Sequence, residues 1–401
     1  MKIINRQLYL DRIKGYKDTN GIIKIITGIR RCGKSTLFKI YQNYLLENGV
    51  NQDQIISINL DDIENSKLLD YQVLYEYIKS RLINDKMNYV FLDEIQNVEK
   101  FQLVLNTLNL RENVDLYVTG SNAYLLSGEL ATFLSGRYIT IKMYPLSFKE
   151  YVSSLKDTNN TNVEDKFANY ITYGAFPYIL TCNNNNQIFD YLEGIYNTII
   201  IKDVIQRNNI TDVERLKKIL MFLVANIGSL TSINNIKNQM LNDNFKINVA
   251  TIENYITYLT DSFIIHKVPR YNIKAKGLLQ TNDKYYIADM GFRYYLLNSS
   301  KKDRGHILEN IVYLELLRRN YRVYIGKLDN LEIDFIAEKE GERVYIQVCE
   351  TMMGEETRER ELKPLKLIKD NYEKIVLSMD KIFLENIDGI KSINLIDWLL
   401  K

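Results

Sequence analysis

The clearest chemistry in the chain lies in residues 28–36, Gly-Ile-Arg-Arg-Cys-Gly-Lys-Ser-Thr, where Gly28, Gly33, Lys34 and Ser35 stand at the spacing of a phosphate-holding loop. Glycines let backbone N–H groups turn inward on an anion, and a helix starting there adds the positive end of its dipole. Lys34 supplies a mobile cation for the outer phosphates and the Ser35 hydroxyl suits a magnesium ion, while Arg31, Cys32 and Thr36 complete the cradle. A nucleotide with Mg2+ is the ligand that this pattern predicts. Two carboxylates, Asp93 and Glu94, close the apolar run Tyr89-Val90-Phe91-Leu92. Beside a phosphate loop, Asp93 is placed to hold the metal and Glu94 to polarise the attacking water. Ser121 and Asn122, after the run Asp115 to Thr119, are candidates for contact with the γ-phosphate or the water. Arg137, at a turn between apolar elements, is either a surface charge or an arginine finger for the transferred phosphoryl group.

A second constellation lies near the C-terminus. Glu309 falls in a helical stretch, Asp334 in an apolar strand, and Gln347 and Cys349 two apart on a later strand, hence on one face. This layout resembles the PD-(D/E)XK restriction-endonuclease fold, with departures. Gln347 offers an oxygen without charge, and Cys349 stands where that pattern has an ammonium. Metal-assisted phosphodiester cleavage needs both carboxylates and a cation near the water. Nothing in the spacing brings in a substitute such as Lys363, so a degenerate, non-cleaving site is expected.

The elements that must carry these residues follow from apolar periodicity. Residues 3–20 read as a helix, Ile22 to Thr27 as a buried strand, Leu37 to Leu46 as an amphipathic helix and Ile55 to Leu60 as a second strand. Strands at 89–94, 115–119 and 138–143 complete an ATPase-like core over 1–147. Helical patterning from Phe148 to Arg207, with the Asn-rich stretch 183–186 read as a loop, predicts a helical lid over 148–210. Three helices (213–227, 232–241, 248–263) and two strands (264–268, 284–288) predict a winged helix within 211–297. The connection between those strands carries Arg270, Lys274 and Lys276, so the 264–288 wing is the part expected to reach DNA. The third helix offers no Lys or Arg, which favours an architectural or protein-contact role over specific DNA binding. Residues 298–401 form the nuclease-like α/β domain.

Several motifs together carry a family resemblance. The phosphate loop, Phe91-Leu92-Asp93-Glu94-Ile95-Gln96, Thr119-Gly120-Ser121-Asn122, Leu134-Ser135-Gly136-Arg137 and Tyr144-Pro145-Leu146-Ser147-Phe148 look like those of a bacterial and archaeal family. Its members are AAA-type P-loop ATPases carrying a C-terminal domain of unknown function. Tyr173-Gly174-Ala175-Phe176-Pro177 and Ile333-Asp334-Phe335-Ile336 extend the likeness over nearly the whole chain. The resemblance implies an α/β fold built on a parallel AAA-type sheet, and binding and hydrolysis of ATP. In a homo-oligomer, Arg137 could serve its own site or a neighbour's.

Composition narrows the remaining classes. Cys32, Cys182 and Cys349 are too few and too dispersed for a disulfide framework or a zinc site, and two histidines leave no His-rich metal chemistry. No apolar run reaches the ~18 residues of a membrane span, so no membrane partner is expected. The first residues lack the apolar core of a signal peptide, and a cytoplasmic location is the corresponding expectation. A net charge of +2 restricts any nucleic-acid surface to a local patch.

Overall fold

Ile23–Thr27 (β1) is buried along its whole length, as an Ile-rich run at the centre of a parallel sheet must be. The structure is a computed structural model of residues 1–401. It describes every residue except 1, 2, 124–133, 135, 156–161, 280, 281, 299–302 and 382–384. The chain forms two units, Met1–Tyr144 with Asp261–Phe263, and Pro145–Thr260 with Ile264–Lys401.

In the first unit β1 is joined by Ile55–Asn59 (β2), Asn88–Asp93 (β3), Val114–Gly120 (β4) and Tyr138–Lys142 (β5). The five pair in the order β2-β3-β4-β1-β5, all parallel. Their C-terminal ends therefore share one edge, where open α/β sheets gather ligands. Helix α1 (Gln7–Lys14) is shorter than its sequence pattern suggests: it starts after Arg6 and ends at Gly15. Helix α2 (Lys34–Glu47) starts inside the phosphate loop, three residues earlier than the apolar pattern shows. It seats Phe38 and Tyr41 on Phe91 and Tyr117 of the sheet. Helices α3 (Tyr71–Lys79) and α4 (Phe101–Asn109) add Leu74, Ile78, Val104, Leu105 and Leu108 to an apolar cluster with β1–β4.

The second unit begins with helices Phe148–Ser154, Val163–Tyr173 and Asn185–Thr198. The Asn-rich stretch is a helix start and not only a loop: the Asn184 side chain accepts from the Gln187 N–H, as a short polar cap should. Ile199–Gln206 continues as a π-helix. Helices Val213–Ala225, Ile233–Asn242 and Val249–Asp261 accompany an antiparallel sheet of Leu230–Thr231 (β6), Asp283–Ile287 (β10) and Ile265–Val268 (β7), ordered β6-β10-β7.

The connection from β7 to β10 is not the free wing that its charges suggest. Arg270–Asn272 (β8) pairs parallel with Arg322–Leu328 (β11), and Gly277–Leu278 (β9) pairs back on β8. Both strands belong to an eight-stranded sheet whose interior members include Leu331–Lys339 (β12), Glu342–Val348 (β13) and Glu373–Ser378 (β14). Tyr271 and Ile273 explain the recruitment, since both pack against the apolar cluster of that sheet. Lys274 is spent on Asp329 at 2.5 Å. Of the three basic residues expected on the wing, Lys274 and Lys276 are exposed and Arg270 is half-buried.

Candidate functional site

The phosphate loop leaves β1 under close constraint. A Cβ at Gly28 would lie 2.1 Å from the Met143 carbonyl oxygen, so no other residue fits there. Gly33, at φ 109°, takes the backbone through a conformation suited to glycine and caps α2. The first N–H groups of α2, at Lys34, Ser35 and Thr36, stand at the helix terminus where an anion is favoured. Lys34 is buried, and its Nζ donates to the carbonyls of Gly28 at 2.9 Å and Ile29 at 3.4 Å. It also lies 3.6 Å from Glu94 Oε1. Cys32 is buried beneath the loop, and burial pushes its thiol pKa up, so it acts as packing. Arg31 is exposed and takes a positive φ of 65° to complete the turn.

Asp93 and Glu94 occupy the end of β3 as the spacing predicted. Thr119, on the neighbouring β4, joins them: its hydroxyl donates to Asp93 Oδ1 and accepts from the Glu94 N–H at 2.9 Å. Burial raises the Asp93 pKa, with the Glu94 charge adding to it, while hydrogen bonds from Ser35 and Thr119 pull the other way. Burial, the largest single influence, would raise Glu94 as well, but Lys34, Gln96, Arg30 and Ser121 together outweigh it, and the net shift is downward. Glu94 sits in the left-handed region at φ 57°, a conformation that costs a non-glycine residue on the order of 1 kcal/mol. Its Oε2 accepts from Gln96 Nε2, which also reaches Ser121 Oγ at 3.5 Å.

Ser121 and Asn122 are buried directly after β4, at the edge of the sheet that carries the loop. Arg137 is not brought there. It precedes β5, whose Tyr138 pairs with Ile23 while Lys142 pairs with Thr27, so the strand's length separates it from the loop, roughly 13 Å at about 3.3 Å per residue.

Residues 20–152 match the family described as an AAA domain, and residues 164–303 one described as a domain of unknown function, DUF8612. The chain is 39% identical over 401 residues to an uncharacterized protein of Haemophilus influenzae, covering 100% of this chain and 99% of that one. It is 31% identical over 418 residues to an uncharacterized protein of Methanocaldococcus jannaschii, covering 99% and 88%. The chain belongs to this AAA-domain family. Among solved structures it is similar to the replication initiator DnaA bound to AMPPCP and single-stranded DNA. That likeness has 16% identity and a TM-score of 0.32, covering 64% of this chain and 89% of that one. It is also similar to the Aeropyrum pernix ORC1 protein in complex with DNA, at 11% identity, a TM-score of 0.30 and coverages of 74% and 92%.

The second unit of this AAA-type protein gathers the C-terminal constellation. Glu309, Asp334, Gln347 and Cys349 line one cavity of about 390 Å³, together with His306 and Arg360. The Val348 N–H donates to Asp334 Oδ2 at 2.8 Å, and Gln347 Nε2 donates to Glu361 Oε2 at 2.9 Å. The lysine here arrives from β10 and not from Lys363. Lys284 Nζ lies 2.7 Å from Glu332 Oε1, 3.1 Å from Glu309 Oε2 and 4.0 Å from Asp334 Oδ1. Burial opposes its charge, yet the carboxylates of Glu309, Asp334 and Glu332 hold its pKa above the ordinary value. Burial and the Glu309 charge push Asp334 well above the usual carboxylate range. The Cys349 thiol is pushed up to about 12 by burial, with Glu361 contributing, and is therefore inert near neutrality.

Sequence reasoning missed four residues that organise these sites. Thr119 and Gln96 sit inside quoted motifs but carry no charge to mark them. Arg6 precedes α1 and donates to the Cys32 carbonyl at 2.8 Å and the Tyr144 carbonyl at 2.7 Å, bracing the underside of the loop. Lys284 could have been suspected, since its two-residue spacing from Tyr286 puts both on one strand face, and both bond Glu309 Oε2.

Proposed function

We propose that the chain binds Mg-ATP at residues 28–36 and hydrolyses it with Glu94 as the group that takes the water's proton. The observation that carries this reading is the convergence of Lys34, Asp93 and Glu94 at the start of α2, with Lys34 Nζ 3.6 Å from Glu94 Oε1. Backbone N–H groups of the loop and the Lys34 ammonium hold the phosphates. The Ser35 hydroxyl and the Asp93 carboxylate, hydrogen-bonded to one another, are an oxygen pair that suits magnesium, whose charge would neutralise the phosphates. When Lys34 turns to phosphate, the Glu94 carboxylate loses its nearest cation and its affinity for a proton rises, which is what a base needs. Arg137, remote from its own loop, fits a role at a neighbour's site in a homo-oligomer.

The rest of the chain reads as the part that responds to the nucleotide. Residues 213–287 have the helix and strand order of a winged helix. Helix Val249–Asp261 has no Lys or Arg and β8 is built into a sheet, so a protein partner is favoured over DNA. The C-terminal cavity has a nuclease-like layout, with Gln347 and Cys349 in place of an acid and a lysine, and is proposed not to cleave DNA. Glu94→Gln tests the central reading. Mg-ATP affinity should stay within about twofold while phosphate release falls about 100-fold or more. Unchanged turnover would remove Glu94 from its role.

A further inference from the structure

Gln96 lies two residues beyond Glu94, in the short 3-10 turn Ile95–Asn97 that follows β3. Its amide is committed at one end only. Nε2 donates to Glu94 Oε2 and reaches Ser121 Oγ at 3.5 Å. Oε1 is buried and has no hydrogen-bond partner among the described residues. A buried carbonyl oxygen left without a donor is destabilising, so such atoms in native structures call for an explanation. Rotating the amide would not help, because it would set Oε1 against the Glu94 carboxylate, oxygen to oxygen. The hydrogen bond to Glu94 thus holds the amide in the one orientation that leaves Oε1 unsatisfied. What the oxygen lacks is a hydrogen from outside the chain, delivered one amide group away from the carboxylate that polarises water.

We propose that Gln96 is the second water-holding group of the hydrolytic site, with Oε1 accepting one hydrogen of the attacking water while Glu94 accepts the other. The inference rests on the hydrolytic reading above. The water oxygen forms a bond to the γ-phosphorus, and the bond from that phosphorus to the β,γ-bridging oxygen breaks. The departing ADP keeps the electron pair on its β-phosphate, and the water's proton passes to Glu94. Two acceptors fix the direction of the water's lone pair, where Glu94 alone would leave it free to turn about one hydrogen bond. Nε2 meanwhile keeps Glu94 in its left-handed backbone setting and links it to Ser121 at the end of β4. The arrangement needs a glutamine, because only an amide offers a donor to the carboxylate and an acceptor to the water at once.

The test is Gln96→Leu, close in size and without either polar atom, measured alongside wild type, Glu94→Gln and the double variant. A fluorescent ATP analogue gives the Mg-nucleotide Kd, and phosphate release under single-turnover conditions gives the rate. The expected result for Gln96→Leu is a Kd within about twofold of wild type and a rate at least tenfold lower. In the Glu94→Gln background the same change should have little further effect, because both residues hold one water. A Gln96→Leu variant that hydrolyses at the wild-type rate overturns the proposal. So does a loss of affinity in step with the rate, or an equal fold loss in both backgrounds. A wild-type protein that binds Mg-ATP and does not turn it over overturns the hydrolytic reading and this inference together.

Discussion

Lys34 and Lys284 each bring a buried ammonium to a carboxylate, Lys34 at 3.6 Å from Glu94 and Lys284 at 3.1 Å from Glu309. Their other contacts differ in kind. Lys34 leans on two carbonyls of its own loop, weak partners that a phosphate can displace. Lys284 is shared by Glu309, Glu332 and Asp334, and no ligand is needed to balance it. At the first site the carboxylate is held below its ordinary pKa and stays charged; at the second, burial and crowding push Asp334 well above it. Exchangeable partners leave Lys34 open to a phosphate, whereas fixed carboxylates tie Lys284 into a cluster of its own.

The largest effect expected from this contrast is at Lys284. Lys284→Met leaves Glu309, Glu332 and Asp334 without their cation and should destabilise the second unit by about 3–5 kcal/mol, read as a lowered Tm, with Mg-ATP affinity preserved. A variant of wild-type stability would break the comparison, since the cluster would then not depend on its ammonium. Lys34→Ala should do the reverse. Mg-ATP binding should weaken about 100-fold or more, near 2.7 kcal/mol, while Tm measured without nucleotide changes little. Retained tight binding would sink the nucleotide assignment.

The pH dependence sharpens the same contrast, with a smaller effect. Glu94 is depressed in the folded chain, so its contribution to stability is present above its unfolded pKa and is lost as pH falls through the folded one. Asp334 is raised. Its folded form holds a proton that the unfolded form releases, so stability is complete below the unfolded carboxylate pKa and is lost as pH rises through the folded value. Denaturant unfolding should therefore show Asp334→Asn flattening a fall with pH above the ordinary carboxylate pKa, and Glu94→Gln flattening a rise with pH below it, each bounded by about 1.4 kcal/mol per pH unit. Identical slopes in wild type and Asp334→Asn would mean that Asp334 does not hold the extra proton.

The first site was legible because its chemistry is local. Glycine spacing, a lysine and a hydroxyl within one loop, and two acids at the end of an apolar strand are all contiguous in sequence. The parallel core was legible too, since β1, β3 and β4 are buried throughout and read as mostly apolar runs, interrupted by Lys24 and Asp115, which pair with each other. The connection 269–282 was misread as a free wing because strand pairing is decided by a partner more than forty residues away, where Ile325, Gly326 and Lys327 meet Arg270, Tyr271 and Asn272. Lys284 escaped notice for a related reason. The one acid in its strand, Asp283, pairs with Lys267, and Glu309 and Asp334 approach from other elements.

The sequence by itself determined that this chain holds a glycine-spaced loop carrying Lys34 and Ser35, and two acids, Asp93 and Glu94, at the end of an apolar run, in an AAA-type parallel core. That information is covalent and short in range: residue types at fixed spacing, and runs long enough to be buried. Tertiary structure alone decided which way each charge was satisfied. It set Thr119 between Asp93 and Glu94, turned Gln96 so that one amide atom holds Glu94 and the other is left without a donor, and placed Arg137 at the far end of its strand. It also filled the C-terminal acidic cluster with Lys284. A buried charge or amide must find its partner wherever folding brings one, and sequence distance places no limit on that.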